Sequence, residues 1–311
     1  MKQSSPFNKL IEYTSNINSN GCKFTNLSDN NNAIYVSKIC NINILLNFFE
    51  NQNPGDELPF IPETSRLFMA YIPFDSVPRV NVFTENYSME EIDEKFNTHG
   101  LAIEGCFGMR DKRSAISSIS NFNWKLPKAF LVIDDHKKTL IVDYDDIDEY
   151  DPEGAVHYIA GRKLYSNGVP VIPFNTMKRV DVDNNPITID GSKVKLDYIS
   201  QTIEINGITR SFEDIGETIN FDNPIYFEID RQTMLFGVDK QNNKFILYLE
   251  TIDFYSSMKI LDRMGAKDVV MICDSPYATL LWKSAGDNLY NKTDFIGLIS
   301  TKVSNIITFS G

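Results

Sequence analysis

Residues 234–249 read MLFGVDKQNNKFILYL. Two apolar runs, Leu235 to Val238 and Phe245 to Leu249, stand on either side of a polar turn from Asp239 to Lys244. Short apolar runs separated by turn residues are the sequence form of a β-hairpin whose strands are buried. The same form recurs outward from this stretch. Ala129 to Ile133 and Thr139 to Val142 flank the polar DDHKK turn, and Asn167-Gly168, Asp190-Gly191 and Asn206-Gly207 are dipeptides that supply the positive φ of a two-residue hairpin. Leu67 to Ile72, Arg79 to Phe83, Leu101 to Gly108, Val269 to Cys273 and Lys302 to Phe309 also read as strands, the third running into a loop. Helical spacing is rarer. Ser88 and Glu91 form a capping box ahead of Met89, Ile92 and Phe96, which share one helical face. Met258, Leu261 and Met264 share another, with Ser256 or Ser257 as its cap and Gly265 as its stop. Few helices and many hairpins predict an α+β fold with a largely antiparallel sheet.

Composition narrows the function classes. Hydrophobic residues make up 42% of the 311 and charged residues 23%, so the chain has the material for a folded core. A net charge of −12 with no basic run excludes a nucleic-acid footprint and disfavours an anionic membrane surface. Apolar stretches such as Ile42 to Phe49 are too short, and too interrupted by Asn, to span a bilayer. Met1 to Leu10 lacks the pattern of a signal peptide, so synthesis in the cytoplasm is expected. Cys22, Cys40, Cys106 and Cys273 form no CxxC pair and read as reduced thiols. With only His99, His136 and His157 besides, no zinc site and no cofactor is expected, and the histidines read as surface or turn residues. The acidic run Asp143 to Asp151 lacks the EF-hand spacing and reads as a solvated loop. Residues 1–65, Asn-rich and then Pro-marked, read as an N-terminal extension and assembly contact, and residues 66–311 as the main domain.

The order of the pieces in the main domain carries a resemblance. Ala102-Ile103-Glu104-Gly105-Cys106-Phe107 is similar to the A-I-N-G-G-F-F segment of the phosphodiester glycosidases. Gly161 to Gly168 resembles that family's G-x-x-L-x-x-x-G hairpin, and Met234 to Leu249 its R-T-A-I-G-I strand and return. Met264-Gly265-Ala266 followed by Val269 to Asp274 resembles the helix ending in L-G-A and the strand that delivers Asp to the loop D-G-G-G-S-S. Lys302 to Ile307 resembles the closing R-P-V-x-N-A-L strand. The resemblance runs from about residue 70 to the C-terminus and implies a phosphodiester-glycosidase-like fold.

It also implies a site, and there the chain departs from the family. In place of D-G-G-G-S-S stands Asp274-Ser275-Pro276-Tyr277-Ala278-Thr279. Glycines let backbone N–H groups close on a phosphate or sugar, whereas Pro276 removes a donor and Tyr277 adds bulk. Glu104 stands for the family Asn and Cys106 for its second glycine; Arg231 is nearest to the family Arg but two residues out of register. If the site is active, Glu104 and Asp274 are its carboxylates, dividing acid and base work. Arg231, Arg110, Tyr277 and Thr279 are then the candidate ligand-binding residues, with Arg113 a further cation. Phe122, Trp124 and Trp282 are aromatic residues of the kind that stack on sugar rings or fill a core. The loss of the glycines favours a retained fold without hydrolysis, used to bind a glycan or protein partner or as a structural part of an oligomer or larger assembly, with a bacteriophage virion as one setting. The alternative is an active hydrolase with a remodelled loop.

Overall fold

The computed structural model describes residues 5–17, 21–27, 34–39, 41–56, 58–59, 61, 65–76, 79–88, 91–92, 100–104, 107–108, 127–134, 138–146, 155–171, 187–189, 192–197, 202–205, 208–211, 232–250, 252, 254–273, 280–283, 294–296 and 302–309. The quoted hairpin lies at the centre of an 11-stranded sheet. Its strands are β15 (Gln232–Asp239) and β16 (Lys244–Glu250), paired antiparallel from Val238↔Lys244 to Gln232↔Glu250. On one side β16 pairs with β3 (Arg66–Ile72), β3 with β2 (Tyr35–Ile39), and β2 with β1 (Thr25–Asn26). On the other, β15 pairs with β17 (Ala266–Cys273), β17 with β9 (Ala155–Ser166), β9 with β7 (Lys128–Asp134), and β7 with β8 (Thr139–Asp143). The short strands β6 (Phe107–Gly108) and β10 (Val169–Pro170) also pair with β9.

A five-stranded sheet runs in the order β19-β18-β5-β20-β4. Its members are β19 (Asp294–Ile296), β18 (Leu280–Lys283), β5 (Gly100–Glu104), β20 (Lys302–Phe309) and β4 (Arg79–Ser88). A four-stranded meander follows chain order: β11 (Ile187–Ile189), β12 (Ser192–Asp197), β13 (Thr202–Ile205) and β14 (Ile208–Ser211). Every strand pairing described is antiparallel. Helices of ten or eleven residues number three among the described residues: α1 (Pro6–Asn16), α2 (Ile42–Gln52) and α3 (Phe254–Arg263). The protein is thus α+β, mostly antiparallel sheet with a few short helices.

Alternation along the large sheet separates two cores. Leu67, Met69 and Tyr71 of β3, with Phe245 and Leu247 of β16, pack against the helices, meeting Phe7, Leu10, Phe48 and Leu261. Phe68, Ala70, Ile246 and Tyr248 fill the opposite face with Leu101, Leu280 and Phe309 of the five-stranded sheet. Phe236 stacks on Phe309 at 5.9 Å between these sheets. The order of layers is helices, large sheet, smaller sheet.

Helix α1 was hidden by the polar composition around it. Ser5 caps it, its hydroxyl accepting from the Asn8 backbone N–H at 3.2 Å, and Pro6 begins it. Phe7 and Leu10 are buried, with the Phe7 ring 5.6 Å from Tyr71 and 5.2 Å from Phe245. Residues 1–65, expected as an extension, therefore contribute α1, α2 and β2 to the layers of residues 66–311. The Ser88–Glu91 capping box is present in both directions: Ser88 N–H donates to Glu91 Oε2 at 2.7 Å, and Glu91 N–H to Ser88 Oγ at 3.1 Å. The cap expected for α3 is not at Ser256 or Ser257; the helix begins at Phe254, and both serines are buried inside it.

The turn of the central hairpin also differs from expectation. Asp239 and Lys244 are fully buried, although the residues between them are not. Asp239 Oδ1 accepts from the backbone N–H groups of Gln241 (2.8 Å) and Asn243 (2.9 Å), and Oδ2 from Asn243 Nδ2 (3.1 Å). Burial raises the Asp239 pKa, and those hydrogen bonds together with one from Ser5 oppose the rise. Lys244 Nζ donates to the Phe74 carbonyl at 2.7 Å. Asp239→Ala leaves three part-buried donors unpaired and should lower the unfolding free energy by about 2–4 kcal/mol. Asp239→Asn keeps an acceptor and removes a buried charge, and should cost under about 1 kcal/mol in urea titrations at pH 7.

Candidate functional site

The chain crosses between the two packed sheets three times, and two of these crossings, from β5 to β6 and from β17 to β18, are neighbours. The first leaves the five-stranded sheet at Glu104, which pairs with Ile306, and enters the large sheet at Phe107, which pairs with Ile159. Only residues 105–106 intervene, so the two Cα positions are at most about 11 Å apart. The second leaves the large sheet after Cys273, which pairs with Met234, and arrives in the smaller sheet at Leu280. Leu280 lies opposite Ile103, the residue before Glu104.

The same junction is visible on β9. β17 pairs with β9 at Arg162, Lys163 and Tyr165, and β6 pairs with it at Tyr158 and Ile159. Both occupy the edge of β9 opposite β7, one after the other. Gly161 lies between them, and a Cβ there would stand 2.4 Å from the Met271 carbonyl oxygen and 3.0 Å from Val270 Cβ. The glycine is what allows β9 and β17 to close. Asn167 and Gly168, at φ 51° and 79°, then make the expected turn into β10.

Of the expected site residues, Glu104 is described by its backbone alone, at the end of β5. Asp274, Arg231, Thr279, Arg110 and Tyr277 lie outside the described residues, as do Arg113, Cys106, Phe122 and Trp124. Trp282 is described only by its backbone position opposite Leu101. Elements flanking these positions do come to one region. β17 ends at Cys273, immediately before Asp274; β15 begins at Gln232, immediately after Arg231; and Met234↔Cys273 puts those two strand ends side by side.

One side chain at this junction was misjudged from sequence. His157 is neither at the surface nor in a turn: it is 3% exposed in β9, paired with Ile133 and two residues from Ile159, where β6 joins. Its Nδ1 has no hydrogen-bond partner among the described residues. Burial first, and then the charge of Lys244, bring its pKa down to about 4. The imidazole is therefore neutral at neutral pH, able to accept or donate one hydrogen bond without bringing charge. Across Ile133 on β8, Thr139 Oγ1 is also buried without a partner among the described residues. The signal was legible in part, since His157 and Ile159 share the period of a strand, but burial depends on which sheet edge covers them.

Elsewhere the acidic run starts with Asp143, which forms an ion pair with Lys163. No group of three or more potential metal ligands occurs among the described residues, and no helix there is long and apolar enough to cross a membrane.

No protein-family model matches the chain, and no curated protein matches it in sequence. Among solved structures, it is similar to the catalytic domain of zebrafish N-acetylglucosamine-1-phosphodiester alpha-N-acetylglucosaminidase, auto-inhibited by its pro-peptide. The match has 12% identity and a TM-score of 0.44, covering 100% of this chain and 96% of the other. A hypothetical protein from Synechocystis is also similar, with 12% identity and a TM-score of 0.38, over 94% of this chain and 64% of that one. Both likenesses are distant.

Proposed function

We propose that the chain is a divergent relative of the phosphodiester glycosidases that keeps the fold for binding or assembly and has lost hydrolysis. The observation that carries this reading is the make-up of the crossing between β17 and β18. Residues 274–279 contain one proline and no glycine, where the family supplies three glycines. Cleaving a sugar–phosphate bond needs donors aimed at the phosphate and a proton for the leaving oxygen. A segment with a missing N–H at Pro276 and Cβ atoms at every position is a poor source of the first. What remains is a carboxylate at Asp274 and another at Glu104 beside the same pair of crossings.

A second reading, an active hydrolase with a remodelled loop, is favoured by one observation: buried His157, with its open Nδ1, in the strand next to the Glu104 crossing. One assay separates the two. Purified protein is incubated with a panel of sugar-1-phosphodiesters, alongside Asp274→Asn and Glu104→Gln. The binding or assembly reading expects no release above the buffer rate from any of the three proteins. Turnover by the native chain that falls at least about a hundredfold in both variants would establish the hydrolase instead.

A further inference from the structure

Two buried polar atoms stand at one end of the β7–β8 hairpin. Thr139 pairs with Ile133 on one side and His157 pairs with it on the other, so the three side chains share a face of the large sheet. Thr139 is 7% exposed and His157 3%, and neither Thr139 Oγ1 nor His157 Nδ1 has a partner among the described residues. An unpaired polar atom shut away from water weakens the state that buries it roughly 5- to 150-fold. The ladder is interrupted at the same place. Ile133 pairs with His157 but Asp134 with Ala155, so Val156 is an extra residue on β9 with no counterpart on β7. Such a bulge disrupts ladder hydrogen bonds and bends the strand that carries it. Beyond it, Asp134 N–H donates to the Lys138 carbonyl at 3.0 Å and Asp134 Oδ1 accepts from Lys138 N–H at 2.7 Å, bonds internal to the hairpin that move with it. β8 pairs with β7 alone among the described residues, and Leu140 on it is 43% exposed. Toward Ala129, by contrast, β7 is paired without interruption on both sides and fully buried.

We propose that this end of the hairpin is a flap that opens at the bulge, returning His157 and Thr139 to water while the rest of β7 stays paired. Opening relieves both unpaired atoms and breaks few ladder bonds, the balance that makes a segment the first to open in a folded protein. The flap borders the candidate site. Two residues beyond His157, Ile159 pairs with Phe107, where the chain arrives from the Glu104 crossing. Opening therefore loosens the strand against which that crossing is held, and sets when the junction is accessible. This use as a gate rests on the reading that the junction binds a ligand or partner; the opening itself does not.

Two measurements on the full chain at pH 7 read the opening. In amide hydrogen exchange followed by NMR, Ile133 and His157 should exchange at least about a hundredfold faster than Leu247 of β16, and low urea should raise their rates only weakly, the mark of a local opening. Diethyl pyrocarbonate, which modifies an imidazole only when it reaches it, should label His157 in the folded protein at a rate that follows the same opening. Thr139→Val keeps the side-chain shape and drops the unpaired hydroxyl, so it should slow both processes at least about fivefold. Ser76→Ala removes a buried hydroxyl, also without a partner among the described residues, that lies outside the flap, and should leave both rates within about twofold. Exchange at Ile133 as slow as at Leu247 overturns the proposal. So does labelling of His157 that occurs only through global unfolding, or a flap indifferent to Thr139→Val. None of these results decides the sugar-1-phosphodiester assay, so failure of the flap and failure of the functional reading are distinguishable.

Discussion

Gly161→Ala should lower the unfolding free energy by at least about 3 kcal/mol, or leave no folded protein to measure. The reason is a contact between main chains. The added Cβ would meet the Met271 carbonyl oxygen at 2.4 Å and its carbon at 3.0 Å, and neither belongs to a flexible side chain that can turn away. To admit the methyl group, β9 must separate from β17, which breaks the ladder between Met271 and Arg162. The comparison is Gly168→Ala, where φ is 79° but the nearest atom is Lys240 Cε at 3.6 Å. There only the backbone conformation is penalised, by about 1 kcal/mol. Urea titration of both variants measures the difference. Equal losses would show that strand closure at Gly161 is not what the glycine provides.

The second large effect is on acid stability. His157 has a pKa near 4 in the folded protein against an ordinary value of 6.5. Between those values the unfolded chain binds the proton and the native protein does not, so stability rises with pH across the window. The contribution is complete above about pH 6.5 and is lost as pH falls through 4, a difference of about 3 kcal/mol. Asp239 acts in the opposite direction. Its raised pKa means the native state holds the proton longer, so its contribution falls as pH rises above the ordinary carboxylate value. The native curve alone therefore mixes the two. Subtracting the curve of His157→Asn isolates the histidine: the difference between the proteins should change by about 3 kcal/mol from pH 7 to pH 4. A difference that stays flat would mean that His157 is solvated in solution.

The strands were legible because burial on both faces leaves a local mark. Lys302–Phe309 appears with the bounds its apolar pattern predicts, and β3, β7, β8, β16 and β17 lie within a residue or three of expectation. Hairpins were legible for a similar reason: Asn167-Gly168 needs positive φ and has it. Helix α1 was not read, since Phe7 and Leu10 are too few to stand out from the Asn-rich segment around them. Its cap, Ser5 with Pro6, was the available signal. Asp239 and Lys244 looked like parts of a solvated turn because they are polar; their burial comes from Phe74 and Ser5, which are distant in sequence.

For the site the division is sharper. Sequence alone set which chemical groups are available: carboxylates at Glu104 and Asp274, and a loop from 274 to 279 with no glycine. It also determined the class of fold, because hairpin turns and strand periods are properties of residues close together in the chain. Only the tertiary structure decided that the Glu104 crossing and the Leu280 crossing are neighbours, since that depends on Ile103↔Leu280 and Phe107↔Ile159, pairs far apart in sequence. It alone turned His157 from a presumed surface residue into a buried neutral imidazole, because burial is a property of what covers a strand and not of the strand itself.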